Sequence, residues 1–356
     1  MYLVKNIFSA SMVLLLVALV SCSKNPGSPE GDLPELVDPF AQNERLGRGI
    51  NLGNALEAPN EGDWGVVLKS EYFDLIRQAG FQSVRIPIRW SAHTTANPPY
   101  AIDSRFMSRV DWAINQALSR DLLVMINIHH YEEIMQDASS QKARFLAIWQ
   151  KLATHYQDYP SGLLFEILNE PNNSLSPQLW NEFLADAIAV IRDSNPNRTL
   201  VVGTANWGGI PGVRDLVLPE DNNLIVTVHY YNPFFFTHQG AEWVDGSNAW
   251  LGTTWSGTPA EQQVVMQDFF EAIAWASNNQ VPLNLGEFGA YSKADMDSRA
   301  KWTSFVARQA ESSGMSWHYW EFISGFGAYD GSANNWNEPL LRALIPETAK
   351  HSVAKN

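Results

Sequence analysis

Positive charge is scarce in this 356-residue chain: 24 Lys and Arg stand against 38 Asp and Glu, a formal net charge of -14. A nucleic-acid partner needs a basic footprint to neutralise phosphates, so that class of ligand is excluded and a neutral one fits better. Cysteine is nearly absent as well. Cys22 stands alone, which removes disulfides within the chain and any metal site built on several thiolates. Long apolar runs are also missing, since Ile7 to Val20 is too short and wrongly flanked for a stable membrane span. No second domain, internal repeat or low-complexity module is evident. What is present in quantity is flat aromatic surface, with fourteen Trp, eleven Tyr and seventeen Phe.

The N-terminus reads as an export signal. Met1 to Asn6 carries one Lys, the apolar run follows, and it ends in Leu19-Val20-Ser21-Cys22. With small residues before a lone Cys, the segment resembles a bacterial lipoprotein signal; an ordinary secretory signal with an incidental Cys is the alternative. Residues 1–21 are then expected to be removed and Cys22 lipidated, leaving an exported protein held at a membrane or cell surface by that anchor alone. Residues 22–38, rich in Pro, Gly, Ser and acidic side chains, read as a flexible tether. One catalytic domain is expected over 39–350.

Within that domain short β-rich runs alternate with helical patterns eight times, the rhythm of parallel βαβ units. Strands are expected at Arg48–Leu52, Ser83–Ile88, Leu122–His129, Leu163–Leu168, Thr199–Gly203, Leu224–His229, Pro282–Gly286 and Ser316–Trp320. Helices are expected at Leu68–Ala79, Ser104–Ser119, Lys142–Tyr156, Gln178–Asp193, Ala260–Ser277 and Ser298–Glu311. Eight units predict an α/β fold of the (β/α)₈ TIM-barrel type, in which active-site groups gather at the C-terminal ends of the strands. The strand ends do carry polar or aromatic groups: Asn51 and Asn54, Arg85, His129-His130, Asn169-Glu170, Asn206-Trp207, His229 and Tyr231, Glu287, and Trp320-Glu321.

Alternation along a strand sorts these groups by face. His129 shares the polar parity of Asn127 and is the inward candidate, whereas His130 shares that of Ile126 and Ile128, toward the helices. Thr227, His229 and Tyr231 form one face, as do Ser316, His318 and Trp320. Glu166 shares the parity of Glu170 but sits deeper, where it needs a charged or hydrogen-bonding partner, and Arg85 is the candidate. Alone, His229 and His318 read most simply as hydrogen-bonded core residues. Neighbours on a strand face opposite ways, which argues against His129-His130 as a zinc pair. No metal or cofactor is expected.

Two glutamates at the ends of the fourth and seventh strands, Glu170 and Glu287, face each other across a barrel mouth. Glycoside hydrolysis needs such a pair, one carboxyl group to protonate the leaving oxygen and a second to attack or to activate water. At about 5–5.5 Å separation the second acts as a nucleophile and configuration is retained; wider spacing means inversion. Each motif has a duller reading: Asn169-Glu170-Pro171 as a strand-end turn, and Gly286-Glu287-Phe288-Gly289 as a bend whose glycines permit unusual φ angles.

From Pro39 to Ile345 the chain resembles glycoside hydrolase family 5, the bacterial endo-β-1,4-glucanase and mannanase type. The resemblance rests on Ile167-Leu168-Asn169-Glu170-Pro171 and Gly286-Glu287-Phe288-Gly289, supported by Val84-Arg85-Ile86-Pro87-Ile88-Arg89-Trp90 and Val228-His229-Tyr230-Tyr231. It implies Glu170 as acid/base and Glu287 as nucleophile, with Arg85 and Tyr231 orienting the nucleophile and Asn169 reading the sugar 2-hydroxyl. It further implies that His129 and His229 line the cleavage subsite and that Trp320 is a stacking platform on the non-reducing side. A nucleophile must stay ionised, an end that a cation and a phenol beside Glu287 would serve.

Sugar rings present apolar C–H faces, so aromatic residues are natural cleft walls. Trp207 and Trp243 are candidates, with Asn54, Glu57 and His130 as hydrogen-bonding candidates. The long segment after the sixth strand, Tyr231 to Pro259, holds Phe234-Phe235-Phe236, His238, Trp243, Trp250 and Trp255, either for substrate or to pack the loop itself. The favoured substrate is a β-1,4-glucan cut internally by a monomer. A β-1,4-mannanase or dual enzyme is the alternative, followed by a non-catalytic polysaccharide-binding protein and a metal-dependent barrel hydrolase.

Overall fold

The computed structural model describes residues 36–346; the signal segment, Cys22 and most of the tether lie outside the described residues, as do 347–350 of the expected domain. Eight parallel strands close into a barrel in chain order, with β1 paired to β8. They are β1 (Arg48–Asn51), β2 (Ser83–Ile86), β3 (Leu123–Asn127), β4 (Leu163–Glu166), β5 (Leu200–Gly203), β6 (Leu224–His229), β7 (Leu283–Phe288) and β8 (Ser316–Tyr319). The helices are α1 (Pro39–Leu46), α2 (Ser70–Ala79), α3 (Ser104–Leu118), α4 (Glu132–Gln136), α5 (Ala138–His155), α6 (Pro177–Arg192), α7 (Phe234–Thr237), α8 (Pro259–Asn279), α9 (Met296–Ser312) and α10 (Glu338–Leu344).

All eight expected strands and all six expected helices are present, with two corrections. β2, β3 and β4 stop at Ile86, Asn127 and Glu166, short of the ends read from alternation, because the rim residues leave the regular ladder while still bonding singly: His129 N–H donates to Ile88 C=O and Asn169 N–H to Ile128 C=O. The connection from β5 to β6 holds only a 3₁₀ segment, Ile210–Asp215, since Gly208, Gly209, Pro211 and Gly212 deny an α-helix its backbone donors and conformational economy.

The barrel interior is graded. Its floor is apolar, where Met125, Leu164, Val201 and Ile225 meet Leu46 at the end of α1, a helix started by Asp38, whose carboxylate accepts the N–H groups of Phe40 and Ala41 ahead of Pro39 in the first turn. Above the floor lies a buried polar layer. Thr227 Oγ1 donates to Asn284 Oδ1 (3.0 Å), Asn284 Nδ2 donates to Ser316 Oγ (2.8 Å), and Ser83 Oγ pairs with His318 Nε2 (3.0 Å). His318 is thus a satisfied core histidine, and burial pushes it down to about 3. The larger apolar core fills the space between barrel and helices, as expected of parallel strands covered on the outside.

Candidate active site

The site grows from a guanidinium at the top of this polar layer. Arg85 is fully buried in β2, turned inward while Val84 and Ile86 join the outer core. Its Nε and Nη2 donate to the two Glu166 oxygens at 2.5 and 2.7 Å, and Nη1 donates to Asn51 Oδ1 (2.8 Å) and Glu287 Oε1 (2.7 Å). A second bond from Nη2 reaches Asn169 Oδ1 at 2.8 Å. All five N–H donors of the fork are therefore used, and the Arg85–Glu166 pairing expected from strand parity is present. Burial works against charge on Arg85, but Glu166 and Glu287 outweigh it and hold the guanidinium above its ordinary value. Burial likewise pushes Glu166 up, and Arg85 overrides it so that the carboxyl lies below its usual range.

Glu287 sits in β7 where the pairing with both β6 and β8 slips register, an irregularity that re-aims a side chain. Its flanking glycines do not fit the alternative of a bend with unusual φ angles. Neither takes a positive φ; instead a Cβ on Gly286 would lie 2.5 Å from Thr227 Oγ1, and one on Gly289 would collide with the Trp320 carbonyl. Tyr231 O–H donates to Glu287 Oε2 at 2.9 Å, so both carboxylate oxygens of Glu287 are held.

Glu170 follows β4 in a left-handed turn with φ 45°. His229 Nδ1 shares a hydrogen bond with Glu170 Oε1 at 2.7 Å and lies 3.6 Å from Glu287 Oε2. Burial lowers His229, yet the carboxylates of Glu287 and Glu170 prevail and raise it above its ordinary value. One oxygen of each glutamate and this nitrogen lie within 4.8 Å of one another. A nearest approach of the two carboxyl groups inside 4.8 Å is compatible with the closely spaced pair of a retaining enzyme, whose carboxyl groups lie about 5–5.5 Å apart. The same three atoms resemble a metal-ligand set, but the fixed cation of Arg85 at 2.7 Å from Glu287 opposes a second one there.

Two cavities meet at Glu170. The first, about 660 Å³, is lined by Asn54, Glu57, Trp64, His129, His130, Asn169, Glu170, Tyr231, Trp243, Glu287 and Trp320 among others. The second, about 880 Å³, is lined by Glu170, Trp207, His229, Tyr231, Phe234, His238 and Trp243 among others. Glu170 borders both, whereas Glu287 and Asn169 border only the first. Every sequence-predicted site residue among the described residues therefore lies in one region. His129 and Trp320 run parallel at 5.9 Å, and burial, which disfavours a charged ring, keeps His129 well below its ordinary value and His130 at about 4. Asn169 Oδ1 is tied to Arg85, which leaves its NH₂ group as a donor for a ligand.

Several readings are refined. His130 does not face the helices: β3 has ended at Asn127 and His130 has φ 45°, so alternation no longer governs it and its ring borders the cleft edge-on to His129 at 4.5 Å. Glu57 lines the first cavity but is fully buried, its carboxylate accepting the N–H groups of Asn54 and Ala55. The aromatics after β6 divide between the two roles: Phe236 and Trp255 are buried packing, while Trp243, 60% exposed, borders both cavities. Trp207, 58% exposed, borders the second. Sequence reasoning passed over Trp64, Tyr291, Ser324 and Phe326 as wall residues. Tyr291 follows Gly286–Gly289 by two positions, a signal close to hand; Trp64 lies between Gly62 and Gly65 in a loop with no periodic pattern to mark it.

Residues 48–325 match the family model described as Cellulase (glycosyl hydrolase family 5). The chain is similar to Endoglucanase H of Acetivibrio thermocellus, 35% identical over 324 residues that cover 89% of this chain and 35% of that protein. It is also similar to Endoglucanase B of Clostridium cellulovorans, 30% identical over 83% of this chain and 73% of that one. It thus spans about a third of the first relative's length and most of the second's. Among solved structures, Cel5A of Thermotoga maritima in complex with cellobiose is 57% identical with a TM-score of 0.85, covering 86% of this chain and 100% of that one. The same protein has been solved with mannotriose, with equal identity and TM-score. A family match over most of the chain, on a closed eight-strand barrel with its glutamates after β4 and in β7, places this protein in the cellulase family, glycosyl hydrolase family 5.

Proposed function

We propose that the chain is a retaining endo-β-1,4-glucanase in which Glu287 is the nucleophile and Glu170 the acid/base. The observation that carries this reading is that Glu170 borders both cavities and Glu287 only one. The group that protonates the departing oxygen must reach the leaving sugar, so the first cavity holds the sugar to be attacked and the second holds the part that leaves. Space on both sides of the scissile bond suits cleavage inside a polymer. A Glu287 oxygen bonds to C1 as the C1–O glycosidic bond breaks and Glu170 gives its proton to the departing oxygen; water then enters from the second cavity, its oxygen bonds to C1 as the Glu287–C1 bond breaks, and its proton passes to Glu170. His229 holds Oε1 of Glu170, leaving the other oxygen for that transfer. The Asn169 NH₂ group is available for a 2-hydroxyl contact that strengthens as charge develops at C1.

Release of reducing ends from barley β-glucan, carboxymethyl cellulose and glucomannan tests this. Glu170→Gln is expected to lower kcat by about 10²–10⁴, Glu287→Ala to lose turnover, and a chelator to change nothing. Proton NMR should show the β-anomer first; an α-anomer first, or undiminished activity in Glu287→Ala, overturns the mechanism. The mannotriose complex of the Thermotoga relative supports a secondary activity on β-mannan, for which glucomannan products are the readout. Export through residues 1–21, lipid anchoring at Cys22 and action as a monomer belong to the same proposal. Labelled fatty acid should enter the wild type and not Cys22→Ser.

A further inference from the structure

We propose that Asn172 is a positioning residue for the acid/base, an inference that rests on the assignment of Glu170 above. Glu170 occupies a left-handed backbone conformation, φ 45°, that residues with a Cβ adopt only when their surroundings hold them there. The Asn172 side chain supplies such a hold: its Nδ2 donates to the Glu170 carbonyl at 2.7 Å. Asn172 is itself fixed from outside the turn. It is 7% exposed, its backbone N–H is directed at Met135 Sδ (3.3 Å), and its carbonyl accepts the N–H of Leu175 (3.0 Å). Pro171 between the two has no N–H to contribute, so within this turn the Asn172 amide is the group that clamps the Glu170 peptide.

The carbonyl of Glu170 sets the peptide plane from which its side chain leaves. Without the clamp the turn relaxes, and the carboxyl drifts from the glycosidic oxygen while still meeting His229. Displacement of this kind costs proton transfer and spares nucleophilic attack, because Glu287 is held by Arg85 and Tyr231 and not by this turn. Asn172 borders neither cavity, so it acts through Glu170 and not on the sugar.

Leaving-group chemistry separates such a role from general damage. For Asn172→Ala, kcat/KM on barley β-glucan, whose leaving alcohol must be protonated, is expected to fall about tenfold or more, part of the about 10²–10⁴ that general acid catalysis supplies. On 2,4-dinitrophenyl β-cellobioside, whose phenolate leaves unprotonated, kcat/KM should change less than about twofold, since that constant reports the first step alone. In a Glu170→Gln background the same substitution should cost nothing further on β-glucan. Equal losses on both substrates, no loss on either, or an additive loss in the Glu170→Gln background overturns the proposal. Asn172→Leu, of similar size and with no donor, carries the same measurements if the alanine variant does not fold. Failure of the Glu170 assignment would show separately, as undiminished β-glucan hydrolysis by Glu170→Gln alone.

Discussion

Glu57, in the wall of the first cavity, and Glu321, which follows the wall residue Trp320, are both fully buried, and each accepts backbone N–H groups, from Asn54 and Ala55 in one case and from Ile323, Ser324 and Phe326 in the other. Burial outweighs those bonds and pushes Glu57 up to about 8 and Glu321 up to about 7. The folded protein therefore keeps protons that the unfolded chain gives up near pH 4.5, and stability falls wherever the native state binds more protons. Their contribution is unfavourable to folding from about pH 5 upward and grows until about pH 8. The urea midpoint should drop between those values, and the drop should be shallower in Glu57→Gln; an equal slope in both proteins would mean that Glu57 is ionised throughout.

At the scale of elements, the closure of the barrel floor depends on α1. Leu46 is fully buried against Met125, Leu164, Val201 and Ile225, and among the described residues no other helix is in that cluster. Leu46→Ala should cost about 2–5 kcal/mol, from lost burial and the cavity left behind, read as a lower denaturant midpoint with an unchanged slope. This helix was not read from the sequence, although Asp38-Pro39 is a start signal, because its eight residues are too few to establish a period. The eight strands were legible because parallel strands buried on both faces read as short apolar runs, and the catalytic pair was legible because it sits where those runs stop. His130 was misread, and the close packing at the glycines beside Glu287 went unforeseen, for one reason: both lie at the rim, where backbone conformation and close packing are set by neighbouring strands and not by local alternation. The short 3₁₀ connection after β5 escaped the eightfold rhythm because its Gly and Pro residues meet the topological need for a crossover without a helix.

For the whole molecule, a net charge of -14 sets the approach of a charged polymer. A polyanion such as carboxymethyl cellulose is repelled over the Debye length, which shrinks from about 30 Å at 0.01 M salt to about 8 Å at 0.15 M. Over that range kcat/KM on carboxymethyl cellulose should rise while that on neutral barley β-glucan stays level; parallel responses would place the effect in the enzyme and not in encounter. The five bonds of Arg85 have a consequence at this scale too. They join side chains in or just beyond β1, β2, β4 and β7, so the reacting geometry is also a cross-brace of the barrel. Heat then has no intermediate target at the Glu287 side of the site, no state in which the cylinder stands while that carboxylate has come loose from Arg85, and its loss takes on the cooperativity of unfolding itself.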